Sequence, residues 1–377
     1  MKILDFMPSR HPMNATLELT LRCNLKCKMC MFRRSDDDNF QLSTEELTAF
    51  QWENIAQQLC DAGTLNVLIT GGEPFLRKDF CEIYSSIYSK GFLITVYTNA
   101  TLMNDEILKT FQKYPPHRIG ITFYGASNQT YKNLCGCENG FDRALSGAKM
   151  LATLPSAIDF RTTIVKDNFE EINAIEETVK QEFDSSVIHS TTVFQGVRGG
   201  CMPVSDCRLS PKQTVDLLVN RTVEKIRAEL PSEQSENFEI CIAGSKNDFA
   251  SQKQIYTVLG CSGGMESFTI TYDGKLLGCQ MLGEFYTNVL ELGFLNAWQK
   301  WPFIVRLPKV NPACASCNHL DLCQVCPGVR MAECKDLTGK PEYVCQITNE
   351  LLSRKGDEKF ETKLSKPGNE MGTHSQQ

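Results

Sequence analysis

The strongest constraint on the fold is an alternation that runs through the first half of the chain. Apolar runs of strand length recur at residues 16–20, 65–70 (LNVLIT), 92–99 (FLITVYTN), 119–124 (IGITFY), 160–165 and 187–194. Several of the stretches between them space their apolar residues three and four apart, the period of an amphipathic helix. STEE at 43–46 reads as a capping box ahead of a stripe of Leu47, Phe50, Ile55 and Leu59. Phe80, Ile83, Tyr84 and Ile87 form a second stripe. Asn104 caps a third helix carrying Ile107, Leu108 and Phe111. Strands alternating with helices of roughly 10–15 residues imply βαβ units and a parallel sheet. About six such units fit before residue 205, short of the eight of a closed barrel. The expectation is an α/β chain built on a partial, open (βα)6 TIM-like barrel.

The texture changes further on. Ser210-Pro211 predicts an N-cap and first turn for a long helix to about residue 230. SFTITYDGKLLGC at 267–279 alternates with period two around Asp273-Gly274, which predicts a two-residue type I′ hairpin. Tyr272 would then face Lys275, and Phe268 would face Cys279. The expected division is a barrel at 14–205, a helical linker at 206–254, a small cysteine-rich domain at 255–350 and a disordered tail at 351–377.

Cysteine usage narrows the chemistry. The chain has 377 residues and 18 cysteines. Its first residues lack the apolar run of a signal peptide, and no stretch approaches the ~20 apolar residues of a membrane span. A cytoplasmic location follows, where cysteines point to metal or redox chemistry rather than disulfides. A formal charge of -6 gives no basic footprint for nucleic acid. CNLKCKMC holds Cys23, Cys27 and Cys30 directly after the first predicted strand. Three thiolates leave one metal position open, which distinguishes a working site from a closed one. Taken alone, the octapeptide also suits a zinc knuckle with a distant fourth ligand. The second set is Cys261, Cys279, Cys314, Cys317, Cys323, Cys326 and Cys345. Alone, its 314–326 portion suits a zinc ribbon. Cys60 and Cys81 fall on predicted helices as buried small hydrophobes. Cys135, Cys137, Cys201, Cys207 and Cys334 have no assignment.

Cys23-x3-Cys27-x2-Cys30 after one strand, followed by Gly71-Gly72-Glu73-Pro74 after the next, resembles the radical S-adenosylmethionine (SAM) superfamily. TNATL at 98–102 and ITFYGAS at 121–127 are similar to that family's third and fourth strand ends. The resemblance covers roughly residues 14–200. It implies a [4Fe-4S] cluster on the three cysteines whose open iron binds SAM, reductive formation of a 5′-deoxyadenosyl radical, and hydrogen abstraction from a substrate. It further implies that Gly71, Gly72, Glu73 and Pro74 border SAM, with Glu73 accepting from its ammonium group. Asn99 and Thr122 become candidates for the ribose hydroxyls. Arg161 becomes the candidate for the carboxylate, which guanidinium matches bidentately. Met29 stands where many members carry an aromatic residue, so adenine would meet a thioether or backbone.

In the same light the second set resembles a SPASM domain, which carries one or two auxiliary [4Fe-4S] clusters. Family topology gives Cys261, Cys279 and Cys326 to the first, with Cys241 a candidate fourth ligand. It gives Cys314, Cys317, Cys323 and Cys345 to the second. Two residues, not the family's three, precede Cys326. SPASM enzymes most often modify peptides or proteins by thioether, carbon–carbon or epimerisation chemistry, and a low-potential flavodoxin or ferredoxin supplies electrons. Sulfatase maturation is disfavoured, because Gln280 stands where those enzymes have an Asp base, and an amide is no base near neutral pH. No peptide-recognition domain is expected before residue 14. The leading reading is a peptide or protein maturase. The alternatives are a haem-pathway enzyme acting on a tetrapyrrole and, in a different class, a non-catalytic zinc scaffold.

Overall fold

The structure is a computed structural model. It describes residues 10–32, 45–196, 198, 204–229, 261–305, 314, 316–319, 323 and 325–354. Cys201 and Cys241 lie outside them, as does most of the expected tail.

Six parallel strands build the barrel part: β1 (Asn14–Glu18), β2 (Asn66–Thr70), β3 (Leu93–Thr98), β4 (Arg118–Thr122), β5 (Ala157–Thr163) and β6 (Val187–Ser190). The connections carry α1 (Ala49–Asp61), α2 (Phe80–Tyr88), α3 (Asp105–Lys113), α4 (Asn128–Cys135), α5 (Gly140–Leu151) and α6 (Ile172–Phe183). Three more strands follow: β7 (Ser267–Ile270), β8 (Lys275–Leu277) and β9 (Tyr286–Asn288). The predicted hairpin does not stand apart. β7 pairs in parallel with β1, so one nine-stranded sheet runs β6-β5-β4-β3-β2-β1-β7-β8-β9.

The register explains how the sheet divides its two faces. Side chains alternate along each strand, so paired residues share a face. Leu17 pairs with Ile69 and Ile270, Ile69 with Val96, and Ile121 with Phe160. These residues are all buried, in one core with Trp52, Ile55, Ile83, Phe111 and Tyr131 of the helices. Each large side chain removed from water contributes about 1.5–3 kcal/mol. The opposite face is polar. Thr16 pairs with Leu68 and Thr269, Glu18 with Thr70, Tyr97 with Gly120, Gly120 with Asp159, and Thr122 with Arg161.

Two local expectations are corrected. The capping box of α1 is Thr48–Gln51, not STEE: Thr48 Oγ1 accepts from Gln51 N at 3.3 Å, and Gln51 Oε1 accepts from Thr48 N at 2.9 Å. Glu46 is drawn elsewhere, to Arg22 at 2.7 Å and Arg77 at 3.7 Å. The hairpin is shifted by one residue, since Thr269 pairs with Leu277 and Ile270 with Leu276. Gly274 N donates to Thr271 O at 2.9 Å and Thr271 Oγ1 accepts from Lys275 N at 3.1 Å. Gly274 has φ +81°. A type I turn closed by a left-handed glycine makes a three-residue loop, which the Thr271 side chain locks and the dipeptide signal could not reveal.

The chain forms two compact units: Met1–Leu209, Gln254–Ser316 and Val325–Pro341 in one, and Ser210–Lys253, Cys317–Gln324 and Glu342–Gln377 in the other. The first also holds the short helices α8 (Val289–Leu292) and α9 (Phe294–Lys300), and α10 (Pro327–Cys334). In the second, α7 (Pro211–Glu229) packs on α11 (Glu342–Ser353), with Thr214 Oγ1 3.1 Å from Tyr343 Oη and Arg354 2.5 Å from Asp216. The helix therefore extends to Ser353, past residue 351 where the tail was expected to begin.

Candidate radical SAM site

The cysteine loop follows β1 and is tied down on three sides. Leu19 N donates to Thr70 O at 2.9 Å, Gly72 N to Thr20 O at 2.7 Å and Glu73 N to Arg22 O at 2.9 Å. This ladder explains the paired glycines. A Cβ on Gly71 would lie 2.4 Å from Thr20 O, and one on Gly72 2.3 Å from Arg22 O. Gly71 also has φ +148°. The glycines thus admit the backbone leading into the cysteines.

On the second side, Lys26 N donates to Cys135 O at 2.7 Å and Lys28 N to Leu134 O at 3.0 Å. These amides satisfy carbonyls that the last turn of α4 leaves without helical partners. On the third side, Asn99 Nδ2 donates to Asn24 Oδ1 at 3.1 Å and reaches Cys23 Sγ at 3.9 Å. Its Oδ1 accepts from Thr101 N at 2.9 Å and Thr101 Oγ1 at 2.6 Å. Asn99 is therefore already occupied in holding the loop to the end of β3.

Glu73 is fully buried. Its carboxylate accepts from Phe75 N at 3.1 Å, Thr98 Oγ1 at 2.8 Å and Asn99 N at 2.8 Å. Burial nevertheless pushes its pKa up to about 7. A cationic ligand group would oppose that rise and hold the carboxylate ionised. Arg161 lies across the β4–β5 ladder from Thr122, its guanidinium 4.4 Å from the centre of the Tyr97 ring. Its Nε is buried with no hydrogen-bond partner in the structure. An orphaned guanidinium N–H on the polar face suits a carboxylate ligand. Pro74 opens a short 3-10 turn that Glu73 caps.

The three thiols sit close enough to influence one another. Burial first, then Glu73, raises the Cys23 pKa. The hydrogen bond with Cys135, then burial, raises that of Cys27. A metal bound here would therefore displace protons from these groups. Among the described residues, no group of three or more His, Cys, Asp or Glu is gathered tightly enough to hold a single metal ion. A four-iron cubane spans more space than one ion, so thiols spread along a loop remain suited to it. Together with buried Glu73 and Arg161, whose Nε lacks a partner while its Nη2 lies 3.8 Å from Asp159, the loop fits the cluster and SAM that the resemblance implies. Met29 is buried beside these cysteines in the core.

Sequence reasoning missed two partners. Burial first, then the nearby Cys27, Cys135, Cys23 and Cys30 thiols, raise the pKa of the Tyr124 phenol. Cys135 is fully buried against Cys27. Tyr124 was visible inside the quoted ITFYGAS run, whereas nothing in the local sequence tied Cys135 to Cys27. Cys60 is exposed and Cys81 half-buried, correcting their reading as core residues.

Of the second cysteine set, Cys279 is close enough to Cys261 and Cys326 to be influenced by both. Cys326 is the N-cap residue of α10, and Cys279 Sγ packs at the start of that helix, where a Cβ on Gly328 would be 3.1 Å away. Cys314 Sγ accepts from Arg330 at 3.4 and 3.5 Å. Cys317 and Cys323 belong to the second unit, with Cys345 on α11.

Residues 17–179 match the Radical SAM superfamily. The chain is 26% identical over 371 residues to Fe-coproporphyrin III synthase of Methanosarcina barkeri, covering 92% of this chain and 91% of that protein. It is 30% identical over 170 residues to the antilisterial bacteriocin subtilosin biosynthesis protein AlbA of Bacillus subtilis, covering 45% of this chain and 37% of that one. Streptococcus suis SuiB bound to S-adenosylmethionine shares the fold, with TM-score 0.64 at 20% identity over 89% of this chain and 78% of SuiB. SuiB has also been solved with its precursor peptide SuiA. No helix among the described residues is long and apolar enough to cross a membrane. Residues 17–179 are thus a Radical SAM domain, and a [4Fe-4S] cluster and SAM are the cofactors of that family.

Proposed function

We propose that this enzyme modifies a peptide or protein substrate. The observation that carries the reading is the polar face of the sheet. Thr16, Glu18, Tyr97, Thr122, Asp159 and Arg161 occupy it in register; Arg198 pairs with Glu18, Arg118 with Asp159, and Thr122 and Arg161 are given below to SAM, which leaves the Thr16 and Tyr97 hydroxyls on a polar lining suited to a peptide. A tetrapyrrole ring would need a broad apolar surface. The similarity to AlbA and the fold shared with peptide-bound SuiB support the same reading. The second reading, a tetrapyrrole substrate, is favoured by the relative aligned along almost the whole chain.

In this proposal Cys23, Cys27 and Cys30 hold the SAM-binding cluster. Reductive cleavage of SAM there supplies the 5′-deoxyadenosyl radical that abstracts hydrogen from substrate. Glu73 accepts from the SAM ammonium, Arg161 pairs with its carboxylate and Thr122 meets the ribose. Gly71, Gly72 and Pro74 shape the turn that presents Glu73. Asn99 orients the cysteine loop. Radical generation belongs to residues 14–205. Auxiliary clusters belong to 255–350, on Cys261, Cys279 and Cys326 and on Cys314, Cys317, Cys323 and Cys345. A cytoplasmic low-potential flavodoxin or ferredoxin is the proposed electron donor.

Co-expression with precursor peptides encoded beside the gene, followed by mass spectrometry, tests the substrate class. A mass change on a peptide is expected. An unchanged peptide with turnover of an iron coproporphyrin would overturn the reading. Anaerobic protein should carry about eight to twelve irons per chain, for two or three cubanes. Zinc in place of iron and sulfide would establish the scaffold alternative. Cys27→Ala should abolish 5′-deoxyadenosine formation while keeping the auxiliary clusters, and continued formation would refute the ligand assignment.

A further inference from the structure

Gly120 lies in the middle of β4, where a glycine forgoes side-chain packing and marks a close approach by another group. The group is a ring. Tyr97 is the partner of Gly120 on β3, and a Cβ on Gly120 would lie 2.5 Å from Tyr97 Cδ1 and 2.6 Å from Tyr97 Cε1. Gly120 does not have positive φ, so contact rather than backbone strain sets the requirement. The Tyr97 ring therefore reaches across β4 towards β5. There the Arg161 guanidinium sits over it, 4.4 Å from the ring centre, and Arg161 Nε is 3.4 Å from the same Cβ position. The ring holds the guanidinium by its face and uses none of its N–H groups. Arg161 Nε is buried with no hydrogen-bond partner, and Nη2 stands 3.8 Å from Asp159 Oδ2, beyond hydrogen-bond reach. Asp159 is itself engaged by Arg118 Nη1 at 2.6 Å.

We propose that Tyr97, seated on Gly120, is a positioning residue that presents the Arg161 guanidinium to the carboxylate of SAM. This rests on the Arg161 assignment proposed above. A guanidinium is planar, and its N–H donors lie in that plane. Attraction between the cation and the ring face therefore fixes the group without consuming a donor. A hydrogen-bonding neighbour would instead compete with the carboxylate for one. A donor fork fixed beforehand also gives up less freedom when the carboxylate binds. Gly120 completes the arrangement, because a larger residue there would push the ring off β4 and take the guanidinium with it.

The test uses full-length, anaerobically reconstituted enzyme, with variants compared at equal iron content. Equilibrium dialysis against labelled SAM gives its dissociation constant. Arg161→Met removes the guanidinium and should weaken binding. Tyr97→Leu removes the ring face and should weaken binding about tenfold. Tyr97→Phe keeps the ring and should bind SAM as wild type does. Gly120→Ala displaces the ring and should follow Tyr97→Leu. The double variant Tyr97→Leu/Arg161→Met should bind no more weakly than Arg161→Met alone, because Tyr97 acts through Arg161. Should either Tyr97→Leu or Gly120→Ala fail to hold iron, the other decides. If Arg161→Met weakens binding while Tyr97→Leu and Gly120→Ala do not, or if the losses in the double variant add, this inference alone is overturned. If Arg161→Met binds SAM as tightly as wild type, the carboxylate assignment falls and this inference falls with it.

Discussion

Gly72→Ala isolates the steric role of the glycine pair. Gly72 does not have positive φ, so alanine there carries no left-handed backbone strain. The cost comes from contact. The new Cβ would lie 2.3 Å from Arg22 O, 2.7 Å from Arg22 C and 2.8 Å from Leu21 O. These are backbone atoms leading into Cys23, and no rotamer change can move them. The chain must part locally, lengthening the bonds from Gly72 N to Thr20 O and from Glu73 N to Arg22 O. Overpacking costs about 1–3 kcal/mol, and each weakened hydrogen bond adds about 0.5–1.5 kcal/mol. Allowing for partial relaxation, the loss should be about 3 kcal/mol. Urea unfolding of cofactor-free protein measures it, with iron content after reconstitution as the functional readout. Gly91→Ala is the control: Gly91 has φ +84° and nothing within 4 Å of a new Cβ. Were Gly72→Ala to lose no more stability than Gly91→Ala and to hold full iron, the steric account would be wrong.

Glu73 predicts a pH signature in the cofactor-free chain. Burial raises its pKa from 4.5 to about 7, so the folded state keeps a proton that the unfolded state releases within that window. Stability should therefore fall as pH rises from 4.5 to 7, by on the order of 3 kcal/mol for a difference of 7 − 4.5. Parallel stability curves for wild type and Glu73→Gln would refute this. Arg198 pairs bidentately with Glu18, which is fully buried. Arg198→Ala should cost about 3–5 kcal/mol in urea unfolding by stranding that charge, and adding Glu18→Gln should recover much of it; an additive double variant would contradict the pairing. Chelating the metal should leave the far-ultraviolet circular dichroism of the first unit's sheet and helices largely intact, whereas wholesale loss would show that the metal builds this fold.

Much of the barrel was legible because its signals are local. The apolar face of each strand and the stripe on α2 follow from side-chain period alone. The N-cap of α3 is equally local, with Asn104 Oδ1 accepting from Ile107 N at 3.0 Å. What was not legible depends on distant partners. Glu46 resembles a capping residue until Arg22 and Arg77 are placed beside it. That the Asn99 amide bonds Asn24 and Thr101 depends on residues brought to it by the fold. The hairpin register turned on one hydroxyl, Thr271 Oγ1, which accepts from Lys275 N and favours a three-residue loop. Cys135 lies more than a hundred residues from Cys27, and only the return of α4 beneath the cysteine loop joins them.

The same ties bear on the metal ligation proposed for the first site. Small zinc modules fold when the ion arrives, because little else orders their ligands. Here the backbone around Cys23, Cys27 and Cys30 is ordered by groups that owe nothing to metal. The carbonyls of Thr20 and Arg22 accept from Gly72 and Glu73, and α4 accepts from Lys26 and Lys28. The side chain of Asn99 fixes Asn24 from the far side. Loop ordering is thus met by the fold before a cluster enters, rather than drawn from the binding energy. Under the ligation proposed above, preorganisation of this kind would allow three thiolates to suffice. A fourth would be needed to close the site for stability, but a site already held by its backbone can leave that position for the substrate of the cluster.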